Sequence, residues 1–107
     1  VKAGNLMFIS GQIPLNPKTG DLVSDSIEEQ AKQVLNNVQS ICEAAGYSLD
    51  DIVKISIFLT DISNFGIVND VMKEYFSEPY PARATVEVSA LPLGVNVEIE
   101  AIVLING

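Results

Sequence analysis

Between residues 53 and 60 the apolar side chains Val53, Ile55, Ile57 and Leu59 alternate with Lys54, Ser56, Phe58 and Thr60. The alternation returns near the C-terminus. There Ala84, Val86 and Val88 alternate with Arg83, Thr85 and Glu87, then Val97, Ile99, Ala101 and Val103 with Glu98, Glu100 and Ile102. A period of two predicts three strands, each with one apolar face. Two other segments repeat at three and four. Ile27, Ala31, Val34, Leu35, Val38, Ile41, Cys42 and Ala45 form one helical stripe. Ser26 and Glu29 fit a capping box at its start, and Gly46 fits its stop. Phe65, Val68, Val71, Met72, Tyr75 and Phe76 form the second stripe. It is capped by Ser63 or Asn64 and ended by Pro79 and Pro81.

Upstream, "LMFIS" (6–10) reads as a short strand and "AGN" (3–5) as a turn, which implies a partner strand lost before the first residue. Pro14, Pro17 and Gly20 around "NPKTG" predict a hairpin-like loop returning into a short strand at Leu22 and Val23. The order is therefore ββαβαββ, without internal repeat or linker: one α+β domain over residues 1–107, with two helices on one face of a mixed sheet. The apolar faces of all three alternating strands are expected under the helices. The other face combines Arg83, Thr85, Glu98 and Glu100 with Phe58, Ile102 and Phe8, and large apolar groups there predict a partner surface. A symmetric homo-oligomer would cover them and leave Arg83 and Glu98 lining clefts between subunits.

Composition narrows the chemistry. The chain has 107 residues, 48% apolar, with six basic against fourteen acidic side chains and a formal charge of −8. That charge repels phosphate backbones, so nucleic acid is a poor partner. No apolar run approaches the roughly 20 residues needed to span a bilayer, and a cytoplasmic address is expected, a mitochondrial one remaining open. With no histidine and one cysteine, most metal sites and triads are excluded. Cys42, on the helix stripe, reads as a small core residue. Arg83, fixed between Pro81 and a stiff strand, suits two-bonded recognition of a carboxylate. Glu100 reads as an interface charge. The "LNPKTG" loop lacks the pattern of a phosphate cradle.

The blocks "SGQIPLNPKTGDLV", "QAKQVLNNVQSICEAAG", "DIVKISIFLTDISNF", "VNDVMKEYF" and "PARATVEVSALPLGVNVEIEAI" together resemble the reactive intermediate deaminase family, also labelled L-PSP endoribonuclease. The resemblance covers nearly the whole chain. It implies a chorismate mutase-like fold, a homotrimer with three clefts between subunits, and neither cofactor nor metal. The implied activity is hydrolysis of 2-imino acids, made by pyridoxal-phosphate enzymes from serine or threonine, to 2-keto acids and ammonia. By the same resemblance Arg83 holds the substrate carboxylate and Glu98 activates water. The Thr85 backbone bonds near the imine nitrogen, and Ser10, Gly11, Ile13, Phe65 and Asn69 line the cleft. Family members carry a Gly-Pro-Tyr stretch upstream whose tyrosine enters the site, and this chain starts after the corresponding position. Two other functions compete: the endoribonuclease of the family label, and a non-catalytic module that binds keto acids.

Overall fold

A computed structural model describes residues 1–23 and 26–106. Its elements run β1 (Lys2–Ala3), β2 (Leu6–Gln12), α1 (Ile27–Ala44), β3 (Ile52–Leu59), α2 (Phe65–Tyr75), β4 (Ala82–Glu87) and β5 (Val97–Leu104). The strands form one sheet in the order β1-β2-β5-β3-β4. Only β3 and β4 run parallel, joined through α2; the other neighbours are antiparallel. The α+β class and the mixed sheet are therefore observed.

Both helices cover one face. From α1, Ala31, Val34, Leu35, Val38 and Cys42 are buried, and from α2, Val68, Val71 and Met72. They meet Ile55, Ile57 and Leu59 of β3, Val97, Ile99, Ala101 and Val103 of β5, and Met7 and Ile9 of β2. Burying a side chain such as Leu35 contributes about 1.5–3 kcal/mol. The ends of α1 are where the residue types placed them. Ser26 Oγ accepts from Glu29 N at 3.1 Å. At the other end Tyr47 N donates to Cys42 O at 2.9 Å and Gly46 N to Glu43 O at 3.0 Å, with Gly46 at φ +88°, the double-bonded C-terminal turn that glycine favours.

Several expectations are corrected. In β3 the register jumps between Ile52 and Lys54, so Val53 is the extra residue and stands 43% exposed, while Ile52 takes the buried place. In β4 the phase is inverted. Parallel pairing sets Arg83 opposite Ile55, Thr85 opposite Ile57 and Glu87 opposite Leu59, and partners in register share a face. Arg83 and Thr85 thus lie on the helix-covered side, and Ala84 and Val86 on the open side, with Val86 45% exposed. The partner of the first strand begins within the chain. Lys2 and Ala3 pair with Met7 and Leu6, and Val1 exchanges backbone bonds with Phe8. Leu22 makes a single bridge to Leu15, not a strand. The segment entering α2 is capped by Asp61, which accepts from Ser63 N at 2.9 Å and Ser63 Oγ at 2.7 Å, holding its carboxyl below the usual range; Asn64 makes no side-chain cap.

Candidate functional site

Arg83 sits near the start of the edge strand β4, where the chain leaves Pro81, and faces α2. Its Nη1 donates to Asn69 Oδ1, one turn into the helix. The Phe65 ring lies beneath the guanidinium, 5.1 Å from Cζ to the ring centroid, a distance at which a cation is attracted to the π-face. Asn69 and Phe65 are four residues apart on α2, so both reach the same cation. The bond to Asn69 uses one of several guanidinium N–H groups, and a planar edge remains for a second acceptor. Two residues along on the same side, Thr85 Oγ1 is buried without a hydrogen-bond partner among the described residues. A buried hydroxyl left unpaired costs about 1–3 kcal/mol, so such groups concentrate where a ligand completes them. Glu87 Oε1 accepts from Ile62 N at 2.9 Å, tying the end of β4 to the turn that launches α2.

The second cluster is on the open face. Glu98 of β5 pairs in register with Phe58 and is half-buried. Across from it β2 bulges. Ile9 pairs with Ala101 and Gln12 with Ile99, so Ser10 and Gly11 together oppose Glu100. The Glu98 side chain uses the space this creates: a Cβ on Gly11 would fall 1.8 Å from Glu98 Oε2 and 2.8 Å from its Cδ. Glycine at 11 is therefore what admits the carboxylate. Ile13 follows the strand, its carbonyl held by Asn37 Nδ2 at 3.2 Å.

The residues named from the sequence thus form two groups. Arg83, Asn69, Phe65 and Thr85 gather on the helix side, and Ser10, Gly11 and Glu98 on the open side, with the sheet between them. Sequence reasoning missed Glu87 as a brace. It also missed a cavity of about 280 Å³ beside Arg83, to which Met72, Phe76, Tyr80 and Pro81 contribute. Met72 and Phe76 looked like core alone, and the only hint of the cavity was a tyrosine set between two prolines. Burial pushes the Cys42 thiol up, reinforced by Asp51 and Glu43, which suits a core residue and not a nucleophile. Among the described residues no helix is long and apolar enough to cross a membrane, and no group of three or more Cys, Asp or Glu could hold a metal ion.

A two-helix layer on a mixed five-strand sheet is a fold shared with solved structures of a recognised family. Residues 1–105 match the family described as Endoribonuclease L-PSP, and the chain belongs to it, the reactive intermediate deaminases being its other label. A RutC family protein of Pyrococcus horikoshii is 54% identical over 102 residues, covering 95% of this chain and 81% of its own. The 2-iminobutanoate/2-iminopropanoate deaminase of the mite Dermatophagoides farinae is 44% identical over 106 residues, covering 99% and 83%. The crystal structure of RidA from an Antarctic Psychrobacter superposes with a TM-score of 0.94 at 51% identity, covering 98% of this chain and 85% of that one.

Proposed function

We propose that the protein hydrolyses 2-imino acids such as 2-iminobutanoate and 2-iminopropanoate to 2-keto acids and ammonia, in clefts assembled between the subunits of a homotrimer. The observation that carries this reading is the separation of Arg83 and Glu98 by their own sheet. One chain cannot present both to a substrate of a few atoms. An edge strand from one copy set against the open face of the next brings a guanidinium and a carboxylate into one cleft. The open face suits this packing, with Phe8 41% and Val86 45% exposed on it. The deaminase name of a relative at 44% identity supports the same chemistry.

In that cleft the free edge of Arg83 holds the substrate carboxylate by two charge-assisted bonds, orienting the imine. Glu98 of the neighbouring copy takes a proton from water as the oxygen attacks the imine carbon. The C=N π-pair moves to nitrogen, which takes that proton from Glu98, and a carbinolamine forms. As its C–OH collapses to C=O, Glu98 takes the hydroxyl proton and passes it to nitrogen, the C–N bond breaks and ammonia leaves. The backbone of Thr85 receives the nitrogen end, and Ser10 and Ile13 shape the wall. The charge of −8 weighs against RNA as substrate.

The test is Glu98→Gln. The variant should sediment at three times the 11.5 kDa chain mass, as wild type should, and still bind pyruvate. Its imine turnover should fall by about 10²–10⁴, the usual contribution of a positioned base. Near-normal turnover would remove Glu98 from water activation, and loss of pyruvate binding as well would make it a structural residue. A stable monomer at micromolar concentration would remove the composite cleft.

A further inference from the structure

The cavity beside Arg83 has no part in the chemistry above. It is a half-open pocket of about 280 Å³ between the C-terminal half of α2 and the chain entering β4. Met72 and Phe76, both 6% exposed, present core side chains to it, and Tyr80 and Pro81 close it from the strand side. Arg83 and Asn69, the hydrogen-bonded pair of the candidate site, belong to the same wall. A dry apolar cavity of about 150 Å³ already accepts a benzene ring. This one exceeds that volume and is joined to a carboxylate-binding cation. Imines of alanine or 2-aminobutanoate carry a methyl or ethyl group and leave most of it unfilled.

We propose that this cavity is a side-chain subsite, so that the protein prefers 2-imino acids whose side chains are bulky and apolar, of leucine or phenylalanine size. Met72, Phe76 and Tyr80 are its specificity-determining residues. The inference rests on the deaminase reading for its reaction, although its binding half can be tested without turnover. Lys73, exposed and one turn beyond Asn69, also borders the cavity. An acidic side chain is therefore the competing occupant.

Two measurements on the full chain decide it. Calorimetry compares pyruvate, 4-methyl-2-oxopentanoate, phenylpyruvate and oxaloacetate. Kinetics compares imines released in place by an amino-acid oxidase from alanine, leucine and phenylalanine, with semicarbazide as the competing trap. A single methylene in an apolar pocket changes kcat/KM by about tenfold or more. The bulky keto acids should bind, and their imines turn over, at least about tenfold better than the alanine pair. In Tyr80→Ala, at a position 55% exposed and outside the core, the bulky-to-small ratio should fall about tenfold. Equal affinities, a ratio that Tyr80→Ala leaves in place, or tightest binding of oxaloacetate would each overturn the subsite. Tight binding of phenylpyruvate without imine turnover would keep the subsite and defeat the deaminase reading. Turnover of the alanine imine without the bulky preference would do the reverse.

Discussion

One absent methyl group, at position 11, decides where the Glu98 carboxylate can stand. Replacing Gly11 by alanine puts a Cβ 1.8 Å from Glu98 Oε2 and 3.1 Å from Cγ. A flexible side chain can yield, so the fold should survive with the carboxylate swung out of place. Misplacing a reacting group by about 1 Å can cost about 10²-fold. Gly11→Ala should therefore lower kcat by about 10² while the thermal midpoint and sedimentation stay near wild type. Turnover within twofold would show that Glu98 works from its displaced position. As candidates, Arg83 and Glu98 were legible in the sequence through the resemblance of the block that carries them, since charges at the polar positions of an alternating strand are ordinary by themselves. The reason for Gly11 was not. It depends on a bulge across two strands, a distance that one-dimensional spacing does not contain.

Where the period and both end signals agree, an element was readable to the residue, and α1 shows why. Its apolar stripe, its Ser26 start and its Gly46 stop agree, each specifying the same helix. Gly46→Ala places a Cβ at φ +88°, and a left-handed residue with a side chain costs about 1–2 kcal/mol. The midpoint of thermal unfolding should drop by about 4–8 °C for each kcal/mol in a chain of this size, with the catalytic parameters unchanged below it. No drop would mean that the helix ends elsewhere in solution. The strand β4 resisted the same reading. Its apolar set, Ala84 and Val86, lies on the open side and its polar set, Arg83 and Thr85, on the helix side, so polarity pointed to the wrong face, and an edge strand buries neither set fully. Its phase is set by parallel pairing with β3. Val53 misled for a related reason, since one bulge residue shifts every side chain beyond it to the other face.

At the scale of the whole molecule, Arg83 and Glu98 stand back to back through a single sheet. In genetic terms, the trimer proposed above would make lesions at the two recessive to each other. Arg83→Ala and Glu98→Ala chains are each expected to form silent trimers. Unfolded together and refolded as a mixture, they should regain activity, because the proposed head-to-tail ring would join the intact edge of one chain to the intact face of the other. With random assortment at equal amounts, about a quarter of the clefts would carry both groups, and the recovered rate should approach that share of wild type. Mixing the folded trimers without dissociating them should restore activity only as fast as subunits exchange. Failure of refolded mixtures that assemble normally would mean that each chain draws both groups from itself. Complementation would make a heterozygote of two null alleles active, and the recovery would report which chain lends which residue.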